Sequence, residues 1–137
     1  MRIVLDANII IAALMGSRGK LTILTSQNYE FYAPKFIIQE IKKYKNEICE
    51  RTDWTSEEFN VYFDALLLFI DVLDYEQYQD YIDNAKKVIQ DRDLKDVDYI
   101  ACALSTKADF IWSDDKDFSE QQLVKIKTTD EFIEENK

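Results

Sequence analysis

The chain has 137 residues, of which 17 are basic and 27 acidic, for a formal charge of −10, and 47% are hydrophobic. That is packing material for one globular domain spanning 1–137, and it excludes a disordered or collagenous chain. With no histidine, only Cys49 and Cys102 as cysteines and only Gly16 and Gly19 as glycines, imidazole-dependent hydrolysis, a Walker-type phosphate loop and a dinucleotide-binding glycine turn are excluded, and the usual ligand set of a structural or catalytic zinc is missing.

The opening MRIVLDANII is broken by Asp6 and Asn8, so it lacks the apolar region of a signal peptide. The longest apolar run, Ala65 to Ile70, is far shorter than the roughly 20 residues that cross a bilayer. A reducing cytoplasmic setting without membrane contact is the expectation. Ile3 to Leu5 reads as a strand ending at Asp6, and Asn8 to Leu14 as a buried helix, with Arg18 and Lys20 in the loop after it. Phe31 to Ala33 is a second strand, closed by Pro34, which suits the first turn of a helix. Ile37, Ile41, Tyr44 and Ile48 then recur at three- and four-residue steps, as one helical stripe does.

Thr55 and Glu58 form a capping box for a helix whose buried side includes Phe59, Phe63, Leu66 and Ile70. Asp71 to Leu73 reads as a short strand, and Asp74 with Gln77 as a weaker box opening a helix that carries Tyr75, Tyr78, Ile82 and Ala85. Val97, Ile100, Ala101 and Leu104 make a small-residue stripe, typical of a helix packed closely on a sheet. Phe110 to Trp112 is a strand ending at Ser113, Asp114 and Asp115. Ser119 with Gln122 opens a helical turn, Val124 to Lys127 is the last strand, and Thr128 with Glu131 caps a terminal helix. Strands alternating with helices in this way imply an α/β three-layer sandwich around a parallel sheet of four or five strands. In such sheets ligands sit beyond the carboxyl ends of the strands, near the reversal of strand order.

Carboxylates are what remain for chemistry. Asp6 and Asp115 follow strands directly, Glu40 lies at the margin of a buried stripe, and Asp96 stands at the start of a helix. Each has a plainer reading: Asp6 as an N-cap, Glu40 as a surface partner of Lys43, Asp96 as a residue that merely suits the positive helix end, Asp115 and Asp117 as turn residues. Asp91 and Asp98 read as solvated. As a set, the acids fall where a parallel sandwich can bring them together. Two ionised carboxylates about 4 Å apart repel by roughly 4 kcal/mol at an effective dielectric of 20, so a converging cluster must protonate, spread or bind a cation. Oxygen ligands alone select hard ions, Mg²⁺ or Mn²⁺, and the chemistry that follows is metal-assisted phosphodiester hydrolysis. The acidic total runs against a broad nucleic-acid surface, although two divalent ions would offset about four units of it.

These motifs resemble the PIN-domain family, which includes VapC-like toxins of toxin–antitoxin pairs and stand-alone relatives, over nearly the whole chain. VLDANIII resembles its first strand with Asp-x-Asn, FYAPKFIIQEIKKY its second strand and helix, RDLKDVDYIACAL the helix behind its third acid, and ADFIWSDDKDF its strand followed by Thr-Gly-Asp-x-Asp. The resemblance implies Asp6, Glu40, Asp96 and Asp115 as catalytic metal ligands, Asp117 as an auxiliary ligand, and Asn8 and Ser113 as supporting groups. It implies a Mg²⁺- or Mn²⁺-dependent ribonuclease acting on RNA, an antitoxin protein as partner, and homodimerisation, for which Tyr75, Tyr78 and Tyr81 are a candidate aromatic face, with completion of the core as their plainer reading. Two positions depart from the pattern: Asp114 replaces a glycine, and Trp112 an aliphatic residue. Lys35, Lys42, Lys43, Lys45, Arg18 and Lys20 are candidate RNA contacts, with a solvated lysine face as the plainer reading. The competing function is a catalytically inactive PIN-like module that binds protein or RNA. An Asp-nucleophile phosphatase needs Asp-x-Asp where this chain has Asp6-Ala7-Asn8.

Overall fold

A computed structural model of the chain describes residues 1–89, 94–115 and 123–135. In chain order the elements are β1 (Arg2–Leu5), α1 (Ala7–Leu14), α2 (Arg18–Leu24), β2 (Glu30–Pro34), α3 (Ile37–Lys43), α4 (Lys45–Thr52) and α5 (Ser56–Leu67). They continue as β3 (Ile70–Leu73), α6 (Tyr75–Tyr78), a 3-10 turn (Gln79–Tyr81), α7 (Ile82–Ile89), α8 (Leu94–Thr106), β4 (Phe110–Trp112), β5 (Ile126–Lys127) and α9 (Thr129–Glu135). The five strands form one parallel sheet in the order β3-β2-β1-β4-β5. Successive side chains of a strand point to opposite faces, yet Ile3, Val4 and Leu5 of β1 and Phe110, Ile111 and Trp112 of β4 are all buried. The sheet is therefore covered by helices on both sides, as an all-parallel sheet requires.

Several boundaries differ from those expected of the sequence, each for a local reason. Pro34 closes β2 and pairs in register with Leu73; the ladder goes on at Lys35, whose N–H donates to the Leu73 carbonyl at 2.9 Å. A strand end asks no N–H of proline. The stripe from Ile37 to Ile48 is split at Tyr44 (φ −96°, ψ 6°), which ends α3 and begins α4. Ile70 belongs to β3, while Phe59, Phe63 and Leu66 form the buried side of α5, whose Thr55–Glu58 capping box is complete. The Asp74–Gln77 box opens only one turn, and the 3-10 turn then redirects the chain into α7. The last strand is shorter than expected, and the Ser119–Gln122 turn lies outside the described residues.

Arg18 and Lys20 lie on a helix, α2, rather than in a loop. Ser17 caps it, its Oγ accepting from the Lys20 N–H at 3.5 Å. The turn between α1 and α2 passes through Gly16 at φ +113°, a conformation that side chains rarely tolerate. Among the described residues no single helix is long and apolar enough to cross a membrane. A Cβ added at Gly16 would meet nothing within 4 Å, so Gly16→Ala isolates the backbone cost. It should lower the stability measured by urea denaturation by about 1–3 kcal/mol without altering the m-value. An unchanged midpoint would contradict the strained turn.

Candidate active site

Parallel strands bring all their carboxyl ends to one edge, and this sheet reverses its winding between β1 and β4. The chain leaves β1 at Asp6 and β4 at Ser113. Asp6 is only 8% exposed, and its two oxygens divide their work. Oδ1 accepts from the Asn8 N–H at 3.2 Å and so caps α1, while Oδ2 accepts from the Ser113 hydroxyl at 2.7 Å. The Asp6 N–H donates to the Trp112 carbonyl at 3.2 Å, completing a direct bridge across the reversal point. The plain cap reading of Asp6 holds, and its second oxygen faces the neighbouring strand end. Burial raises the Asp6 pKa above the ordinary carboxylate value; the hydrogen bonds from Ser113 and Asn8 oppose that, and the negative charges of Asp115 and Asp114 add to it.

Ser113 is fully buried, and its Oγ also accepts from the Asp115 N–H at 3.1 Å, which orients the turn that presents Asp115. Glu40 comes from α3, with its side chain 18% exposed and one oxygen accepting from Lys43 at 3.0 Å. Asp96 lies in the first turn of α8. Asp6, Glu40, Asp96 and Asp115 line one polar hollow of about 200 Å³, together with Asn8, Tyr44 and Tyr99. Asp117 lies outside the described residues.

Tyr99 was not singled out in the sequence, although it stands three residues after Asp96 and so on the same face of the helix. Its ring is 4% exposed, and its hydroxyl accepts from the first N–H of α1, that of Ala7, at 3.1 Å. Burial, then the nearby charge of Asp6, pushes its pKa far up and keeps it a neutral phenol.

Asp98, expected in solvent, instead accepts a 2.5 Å hydrogen bond from the Tyr78 hydroxyl on the other flank of α8. Tyr78 is thus buried, as the core reading of these tyrosines has it, while Tyr75 and Tyr81 stay exposed. Asp114 turns away from the hollow: its oxygens accept from the N–H and hydroxyl of Thr129, both at 2.7 Å, and it pairs with Lys20 at 3.4 Å. Burial raises its pKa, but these hydrogen bonds and the lysine charge outweigh it and leave the carboxyl lowered. Trp112 donates through Nε1 to the same Thr129 hydroxyl at 2.9 Å. The two positions that depart from the family pattern therefore share one partner, and Asp114 caps the α9 end while its charge is still felt at Asp6.

A larger hollow of about 520 Å³ lies between α1, α2 and α5, bounded by Leu14, Leu21, Trp54, Tyr62 and Phe69, with Arg18 as its charged lining residue. It has no acid with which to do chemistry. The donor set of the smaller hollow is all oxygen, the chemistry of a hard cation, and its volume holds an ion with several waters at about 30 Å³ each. As they stand, no three Asp, Glu or Cys side chains among the described residues are arranged to hold a metal ion. The donors fit such an ion in kind; ligation requires them to draw together, and Lys43, two-thirds exposed, would have to release Glu40.

A family model for the PIN domain matches residues 4–136, and the chain belongs to the PIN domain family, whose members are generally nucleases using divalent metal ions. A chain in the crystal structure of VapBC2 from Rickettsia felis, bound to a DNA fragment from their promoter, is similar at a TM-score of 0.73. The identity is 13%, and the match covers 93% of this chain and 98% of that one. At that identity the likeness shows the fold, the five-stranded parallel sheet flanked by helices. No curated protein matches the chain.

The raised pKa of Asp6 fixes the sign of one prediction. The folded state binds this proton more tightly than the unfolded chain, so ionised Asp6 costs stability above its folded pKa, and the cost fades as pH falls below the ordinary carboxylate value. Without divalent ions, Asp6→Asn should melt at or above the wild type at pH 7, the gap closing toward pH 4. A mutant that melts well below the wild type at pH 7 would contradict this.

Proposed function

We propose that this chain is a Mg²⁺- or Mn²⁺-dependent endoribonuclease that hydrolyses phosphodiester bonds of RNA, acting as the toxin of a toxin–antitoxin pair. The observation that supports it most is the gathering of four acids, from residues 6, 40, 96 and 115, in one hollow at the β1–β4 reversal. Asp6, Glu40, Asp96 and Asp115 would hold the ion, with Asp117 auxiliary and Asn8 a supporting polar group. A bound hard ion would polarise the phosphate and supply an activated water. The chain's own part is positional. Ser113 holds Asp6 and the Asp115 turn in one frame, and Tyr99 fixes the start of α1 and closes the inner wall to solvent. Lys43 balances Glu40 while no ion is bound. The likeness in fold to VapBC2 supports an antitoxin as the protein partner.

A second reading, a non-catalytic PIN-like binding module, is favoured by the Glu40–Lys43 pair and by a formal charge of −10. Incubation with single-stranded RNA and Mn²⁺ separates the two. The wild type should cleave, and Asp6→Asn and Asp115→Asn should each lose more than about 100-fold, beyond what changes outside the ligand set cost. Equal cleavage by all three would point to a contaminant. At 100 times its dissociation constant the ion should stabilise the wild type by about 2.7 kcal/mol, and no rise in melting temperature would favour the module.

A further inference from the structure

The acid hollow, at about 200 Å³, is smaller than the roughly 300–1,000 Å³ of clefts that enclose small organic ligands, so a phosphate fits there and its flanking bases do not. Immediately beside it is a second hollow of about 490 Å³, lined by Lys35, Phe36, Gln39, Tyr75, Tyr78 and Asp98. The two have no lining residue in common and meet across an aromatic contact. The Phe36 ring, which lines one hollow, packs at 5.4 Å against Tyr99, which lines the other, and Gln39 and Glu40 are consecutive on α3, while Asp96 and Asp98 face opposite flanks of α8. Both open along the carboxyl edge of the sheet, one beyond β1 and β4, the other beyond β2 and β3.

We propose that this second hollow seats an unpaired base of the RNA adjoining the phosphate to be cut, a reading that rests on the nuclease function proposed above. Tyr75 is half exposed and meets Tyr78 edge to face at 5.4 Å, leaving ring surface for stacking. Tyr78 is held in place by its hydrogen bond to Asp98, so the platform is rigid. Gln39 brings an amide that donates and accepts, as a base edge requires. Lys35 stands at the rim, paired with Asp74 at 3.4 Å across two mostly exposed side chains; such a pair is weak enough for a phosphate to displace. Stacking also answers the charge problem. A chain at −10 gains little from a broad phosphate-binding surface, whereas base–aromatic stacking does not depend on net charge. The seat admits a base only when it is unpaired, which makes the substrate single-stranded.

The test is fluorescence anisotropy of a labelled single-stranded RNA octamer, and of its duplex, with Ca²⁺ replacing Mn²⁺. Tyr75→Ala should weaken binding of the single strand roughly 5- to 150-fold, Tyr75→Phe should bind within about twofold of wild type, and duplex binding should not respond. Lys35→Ala, at an exposed pair, should reduce the slope of log affinity against log salt by about 0.7. Wild-type affinity in Tyr75→Ala, or a wild type that binds no single strand, would overturn the base seat. So would a Tyr75→Ala effect confined to sedimentation, which would assign the ring to contact with a second copy. A protein that binds through Tyr75 but does not cleave with Mn²⁺ would keep the seat and remove the nuclease reading; cleavage with unaltered KM in Tyr75→Ala would do the reverse.

Discussion

The hydrogen bond from Ser113 to Asp6 joins the ends of two strands that are 107 residues apart in sequence and adjacent in the sheet. A carboxylate this buried costs free energy unless it is hydrogen-bonded, and here its partners come from both sides of the reversal point: the Asn8 N–H on one side, the Ser113 hydroxyl on the other. The same constraint organises the neighbourhood. Ser113 passes the link on to the Asp115 backbone, and Tyr99 ties α8 to the first N–H of α1. Glu40 and Asp96 are brought to the hollow by helices packed around that frame. What the frame leaves is a concentration of negative charge that raises the pKa of its most buried member, a state that a hard cation relieves.

The acidity of the chain acquires a different meaning once partners are known. Lys20 is engaged by Asp114, Lys43 by Glu40 and Lys45 by the Asn60 side chain, which leaves Lys35, in its exposed pair with Asp74, as the lysine of this group that a phosphate displaces most readily. Asp114, whose charge still adds to the repulsion felt at Asp6, is committed to Thr129 and thereby holds α9 against the end of β4. On the function proposed above, substrate affinity would come from a bound ion, from stacking on the adjacent aromatic hollow and from Lys35 at its rim.

Much of this was readable from residues alone, because it rests on short-range rules. A strand that stops at an acid, a Thr-x-x-Glu box and a small-residue stripe place Asp6, Asp115, α5 and α8 without knowledge of the fold. The losses have physical causes. Apolar spacing stays in phase through Tyr44, so periodicity cannot register the break between α3 and α4. Helix α2 is short and only Leu24 in it is buried, which leaves no stripe to read. Tyr78–Asp98, Trp112–Thr129 and Asp114–Thr129 are pairings between distant segments, and no local pattern announces them. Tyr99 could have been found: a phenol one helical turn beyond Asp96 shares its face.

The central claim is that Asp6, Glu40, Asp96 and Asp115 share one divalent ion. The direct measurement is a crystal structure grown with Mn²⁺, with anomalous diffraction recorded at the manganese edge. The account predicts an anomalous peak in the hollow between β1 and β4, at coordination distance from Asp6 and from at least two of the other three acids, with Glu40 turned away from Lys43. A saturated crystal with no peak there, or with manganese bound elsewhere while Glu40 stays on Lys43, would contradict it.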